Sequence, residues 1–231
     1  MKKQRFHYLD VVRGIAIILM VIYHFSFDLD NFNYMQIDLD NSLGWQSFRA
    51  VIVTLFLTTM GMSLALTHAN GICWSCMKKR TLLLGGASIL VSVGSYLQFP
   101  ESWIYFGILH FILFASWLGL LFVGKPLLSL MTALVILIGS YFGWLHTQLL
   151  FDSVKYILHL PIYYTEDLVN IFPWFAPVLI GIFIVGKGWH VYPQLAPSFI
   201  SQKIAFMGQH SLFIYLLHQP LLFGVFLLIA K

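Results

Sequence analysis

Four ionisable residues interrupt the apolar run from Tyr8 to Asp28: Asp10, Arg13, His24 and Asp28. On a helix turning 100° per residue they fall at about 60°, 0°, 20° and 60° from Arg13, all on one narrow face. Arg13 and His24 are separated by about 16 Å along the axis. An ionisable group at membrane depth costs about 2.5–3.5 kcal/mol, so such groups normally face a protein interior or a wet cavity. A polar stripe down one side of an apolar helix therefore predicts a site. Imidazole at His24 suits proton transfer near neutral pH or attack as a nucleophile. Arg13 suits bidentate binding of an anion, and Asp28, one turn beyond His24, is placed to orient that ring. Simpler readings stand beside this one. Asp10 and Arg13, spaced i,i+3, could only neutralise each other, and His24 could be a packing histidine satisfied by a neighbouring helix.

Two further histidines reach similar depth. His110 lies about a third of the way into a later apolar span, and His218 lies mid-way along the last one. Ser211, Tyr215 and His218, spaced i, i+4, i+7, share one face of that last helix. They could also serve only as polar glue between helices.

The elements that position these residues follow from composition. Of 231 residues, 59% are hydrophobic and 10% charged, against the ~25% charged of a soluble domain. The chain reads as one all-α domain over 1–231, a polytopic helical bundle in a membrane. Windows near the ~20 residues needed to span occur at 8–27, 47–67, 81–98, 103–123, 126–145, 170–187 and 209–229, which predicts about seven transmembrane helices. Pro173 and Pro177 predict a kinked start to the sixth. Residues 146–168 are mixed and predict either an interfacial or a partial re-entrant helix.

Lys2, Lys3, Arg5, then Lys78, Lys79, Arg80, then Lys125, then Lys187 and Lys203 fall in alternate loops, which the positive-inside rule places in the cytoplasm together with the N-terminus. The basic residues are scattered between apolar spans, which argues against a nucleic-acid surface despite a net charge of +4. The first span has a Lys/Arg leader but no A-x-A-like cleavage site, so it reads as a retained helix.

Other motifs are quieter. Cys73-Trp-Ser-Cys76 is a C-x-x-C whose thiols are expected to be reduced in a cytoplasmic loop. His68 could add a third metal ligand, but a closed zinc site needs four, so no metal is expected. Nine histidines leave room for a haem reading, which needs paired ligands on facing helices. Phosphate-loop, H-E-x-x-H and G-x-S-x-G patterns are absent from the sequence.

Taken in order, the motifs look familiar. Leu9-Asp10-x-x-Arg13-Gly14 through His24-Phe25-x-x-Asp28-Leu29 opens the series, with Phe56-Leu-Thr-Thr-Met-Gly61-Met-Ser63 and Lys79-Arg80 after it. Ile104-Tyr-Phe-Gly-Ile-Leu-His110-Phe111, Phe172-Pro-Trp174-Phe175 and Gly208-x-His-Ser211 through Tyr215-Leu-Leu-His218-Gln219-Pro220 complete it. The series resembles the bacterial branch of the heparan-α-glucosaminide N-acetyltransferase catalytic-domain family, within the transmembrane acyltransferase superfamily. The superfamily carries an Arg-x10-His pair on its first helix, which Arg13 and His24 match.

The resemblance implies an inner-membrane enzyme that moves an acetyl group from cytoplasmic acetyl-CoA to an extracytoplasmic sugar or amino sugar. Asp10, Arg13, Lys78, Lys79 and Arg80 would hold the polyanionic end of acetyl-CoA. Its arm would follow the polar stripe to His24, acting as general base or acyl-carrying nucleophile. His110, Tyr215 or His218 would stabilise the oxyanion. The alternative is a proton-coupled transporter or flippase, with His24, His110 and His218 as a relay through the same cavity.

Overall fold

The computed structural model describes residues 6–39, 41–145, 167–191 and 198–229, with isolated positions between them. Lys2, Lys3, Arg5, Asp152 and Glu166 lie outside the described residues, as does most of the segment proposed as an interfacial or re-entrant helix. Every secondary-structure element among the described residues is helical. Eight α-helices occur in chain order: α1 (His7–Asn31), α2 (Leu43–Thr67), α3 (Trp74–Gln98), α4 (Ile108–Gly119), α5 (Pro126–Tyr141), α6 (Ile171–Gly186), α7 (Phe199–Gln209) and α8 (Ser211–Ile229). A single 3₁₀ turn, Trp189–Val191, precedes α7.

Each of the seven apolar windows holds a helix, but only α1, α2, α3 and α8 are long and apolar enough to cross a membrane. The other three contain 12, 16 and 16 residues. At 1.5 Å per residue they reach about 18–24 Å, short of the ~30 Å hydrocarbon core. The first of them, α4, starts later than its window. α4 begins at Ile108 because residues before it make loop hydrogen bonds: Ser92 Oγ donates to the Ile104 carbonyl at 2.7 Å and Ser95 Oγ accepts from Ile104 N at 2.9 Å. The expected kink in α6 falls at Phe172, whose backbone is non-helical at φ −106°, ψ 133°, as expected for the residue before a proline. α7 has no counterpart among the expected spans. Its signal was Ser198-x-x-Ser201, where Ser201 N donates to Ser198 Oγ and Ser198 N to Ser201 Oγ, a reciprocal cap.

The chain divides into two compact units, Met1–Thr59 with Val191–Lys231, and Met60–His190. In the first, α1 packs most extensively on α7 and then on α8. Two glycines make the α1–α7 approach possible. A Cβ on Gly14 would strike the Ile204 carbonyl, and one on Gly208 would strike the Asp10 carbonyl. Small residues at such crossings let backbones meet in membranes, where dispersion rather than water drives association. Gly208→Ala is expected to destabilise the protein by about 1–3 kcal/mol or more through overpacking. Gly86→Ala, at a helical position open to 4 Å, is expected to be neutral or slightly stabilising. Thermal unfolding of the detergent-purified protein compares the two; equal midpoints would refute the close-packing account.

In the second unit, α5 packs on α6, α3 on α4, and α4 on α6. α6 contributes fully buried Val178 and Leu179, and Leu64 of α2 is also fully buried. The outward faces of α3 and α5 remain apolar, with Leu82, Leu90 and Leu97 on one and Leu127, Met131 and Val135 on the other all exposed. Those surfaces suit lipid contact. The C-x-x-C differs from its expectation: Cys73 and Cys76 are joined by a disulfide at the start of α3. His68 is not gathered into a metal site, because its Nδ1 accepts the Cys73 N–H at 3.0 Å.

Candidate active site

The first unit gathers two polar clusters along the α1 stripe. At one end, Asp10 is buried and accepts from Gln209 Nε2, at the end of α7, at 3.1 Å. Arg13 approaches Asp10 Oδ1 at 3.5 Å and the Thr59 carbonyl at 3.5 Å. Both distances are long for charge-assisted bonds.

At the other end, α1 meets α8. The His24 and His218 rings meet edge to face with centroids 4.7 Å apart. Asp28 is fully buried, and its Oδ1 accepts from Gln219 Nε2 at 2.9 Å. Asp28 was expected to orient His24. It pairs with Gln219 instead, because its side chain reaches across to α8 rather than along its own helix. His24, half-buried, makes no hydrogen bond among the described residues, which leaves both ring nitrogens for a substrate. His218 Nδ1 lies 2.6 Å from the Tyr215 carbonyl. A carbonyl only accepts, so Nδ1 carries the proton, and in the neutral ring Nε2 is an acceptor.

Three buried atoms here have no hydrogen-bond partner among the described residues: Asp28 Oδ2, His218 Nε2 and Gln219 Oε1. With Gln219 Nε2 committed to Asp28, all three are acceptors. Leaving each unpaired costs about 1–3 kcal/mol. The seam therefore asks for a donor-rich partner.

Between the two clusters the stripe is not a continuous polar groove. Ile17 and Met20, at about 40° and −20° from Arg13 on the same face, are buried against Ile52, with Met207, Ile214 and Tyr215 packed around them. Tyr215 thus belongs to this apolar layer as well as to the histidine cluster, its ring centroid 5.5 Å from that of His218.

The other expected site residues belong to the second unit. His110 Nε2 lies 3.1 Å from Ser92 Oγ, whose own hydrogen goes to the Ile104 carbonyl, and His110 Nδ1 accepts from Gly107 N at 3.3 Å. Both ring nitrogens are committed to capping α4, so His110 has none to spare for an oxyanion. Asp167 supports the same turn by accepting from Ile108 N at 3.2 Å. Arg80 Nε donates to Ser116 Oγ at 2.8 Å, while Lys78 and Lys79 are exposed at the start of α3. Among the described residues no three His, Cys, Asp or Glu side chains are gathered to hold a metal.

The sequence reading missed the two glutamines. Gln209 and Gln219 each hold one α1 aspartate. Gln219 stood inside a quoted motif, but an amide carries no charge to mark it as out of place in an apolar helix.

These motifs sit inside one continuous match. The sequence profile of the heparan-alpha-glucosaminide N-acetyltransferase catalytic family covers residues 5–220. The chain belongs to that family. No curated protein and no solved structure matches it. Family membership indicates a membrane acetyltransferase. Four long apolar helices agree with an integral membrane protein.

Proposed function

We propose that this protein transfers an acetyl group from cytoplasmic acetyl-CoA to the amine of an extracytoplasmic amino sugar, at the seam of His24, Asp28, His218 and Gln219. One observation carries the choice of an amine: the three unpaired buried acceptors Asp28 Oδ2, His218 Nε2 and Gln219 Oε1. An ammonium supplies three N–H donors and a positive charge for Asp28, whereas a hydroxyl supplies one donor and no charge. Once the ammonium is held, His218 Nε2 takes the proton it accepts from it, and the ring becomes a cation that supports the oxyanion. The free amine then attacks the thioester carbonyl and the C–N bond forms, while His24 as general base takes a second proton from the attacking nitrogen. The C–S bond breaks to release coenzyme A as a thiolate, and His24 returns its proton to that sulfur. Placing both reactants together supplies much of the remaining acceleration.

At the other end Arg13 holds donor phosphate, with Asp10 and Gln209 fixing where the guanidinium starts. The acyl-bearing arm carries two amides and a hydroxyl, so reaching His24 requires the Ile17–Met20 layer to open for it. The transporter reading loses one of its three relay members, since both His110 nitrogens are occupied by Ser92 and Gly107.

Acetyl-CoA is expected to raise the unfolding temperature of the detergent-purified protein. The stabilisation should be about 2.7 kcal/mol at 100 times its Kd, and acetate alone should not reproduce it. Arg13→Lys should weaken the effect at least about tenfold in apparent Kd, because an ammonium cannot grip phosphate bidentately. Absence of any shift in the wild-type protein would refute the acetyl-CoA assignment.

A further inference from the structure

The start of α3 carries chemistry that acetyl transfer does not use. α2 ends at Thr67, and the chain turns through His68–Asn70 and Gly71, whose φ of +108° suits glycine. His68 is buried, and its Nδ1 fixes the Cys73 N–H at 3.0 Å. Cys73 is the N-cap of α3, and its sulfur accepts from Cys76 N at 3.3 Å and lies 3.4 Å from Ser75 Oγ. Met77 is fully buried and anchors the first turn of the helix. Cys73 and Cys76 are bonded and half-buried, while the flanking Ile72 and Trp74 are exposed by 45% and 63%. Lys78 and Lys79 follow one turn later, both exposed.

From these residues we infer that Cys73–Cys76 is a thiol–disulfide exchange site that reacts with an external dithiol. A thiolate is stabilised by helix N-terminal N–H groups, and Cys73 Sγ, at the N-cap of α3, already accepts the Cys76 N–H. It is therefore the better leaving group. A thiolate of the incoming dithiol attacks Cys76 Sγ. The new S–S bond forms there, and the Cys73–Cys76 bond breaks to leave Cys73 as a thiolate facing the Cys76 N–H. The second thiolate of the dithiol then attacks its own partner sulfur in the mixed disulfide and releases Cys76, which takes a proton. Two electrons pass to this protein, and the dithiol becomes a disulfide. Exposed Ile72 and Trp74 offer an apolar ledge on which the reductant can rest. The buried His68 and Met77 hold the turn so that only the sulfurs must move. A pair on the cytoplasmic side, where the basic residues Lys78–Arg80 point under the positive-inside rule, would sit as a dithiol at rest and close under oxidation.

The chain has only these two cysteines, so labelling reads the site directly. Full-length protein in detergent is equilibrated with mixtures of reduced and oxidised dithiothreitol, acid-quenched, and labelled with maleimide-polyethylene glycol. One transition between no labels and two labels per folded chain is expected. A pair that stays unlabelled at every ratio until the protein is denatured overturns the proposal, and so does a pair that labels fully even in the oxidised buffer. In single-cysteine variants at neutral pH, Cys73 in Cys76→Ser should react with iodoacetamide at least about fivefold faster than Cys76 in Cys73→Ser. Equal rates, or a faster Cys76, would overturn the assignment of Cys73 as the departing sulfur.

Discussion

His24→Ala should lower the turnover number for acetyl transfer by about 10²–10⁴-fold, the range that a positioned general base supplies. Acetyl-CoA affinity and the unfolding temperature should stay close to wild type, because His24 makes no hydrogen bond among the described residues and the proposed phosphate end of the site is at Arg13, about three turns away. Rapid-quench kinetics with labelled acetyl-CoA separate its two possible roles. A general base gives no acetyl-enzyme, whereas a nucleophile gives a burst of label on the protein before product appears. Wild-type turnover in His24→Ala would remove the residue from the chemistry altogether.

Asp28→Asn tests the amine directly. The substitution keeps the shape of the side chain and a hydrogen bond to Gln219 but removes the charge that faces an ammonium. A hydrogen bond to a charged group is worth about 1.5–3 kcal/mol, so KM for the amino-sugar acceptor should rise by about 10- to 100-fold. KM for acetyl-CoA should not move. The split matters, because a general loss of folding would lower turnover without sorting the two substrates. An unchanged acceptor KM would point instead to a hydroxyl nucleophile, which has no charge for Asp28 to answer.

Much of this was written into α1. Charges are so costly in an apolar run that Asp10, Arg13, His24 and Asp28 marked a site without any coordinates, and helical spacing placed them on one face. His218 and Tyr215 were legible for the same reason. The partners were harder to read. Gln209 and Gln219 carry no charge, so nothing in composition singled them out from helix-forming polar residues. The stripe also looked continuous, because Ile17 and Met20 are ordinary residues in a membrane helix, and only packing against Ile52 shows that they close it. His110 illustrates the opposite error. A buried histidine can be a capping residue, and whether Ser92 and Gly107 take its nitrogens depends on a loop that no periodicity describes. The short α4 follows the same logic, since hydropathy counts apolar residues whether or not a loop has claimed the first few of them.

The most direct test of the account is transfer across a sealed bilayer. The protein is reconstituted into vesicles with an amino sugar enclosed, and labelled acetyl-CoA is supplied outside. Molecules whose α2–α3 turn, next to Lys78–Arg80, faces outward are scored by protease access to that turn. The account predicts enclosed N-acetylated sugar in proportion to the outward-facing fraction, and none with His24→Ala. Label that fails to reach the enclosed amine, or that reaches it equally with the His24 variant, would contradict it.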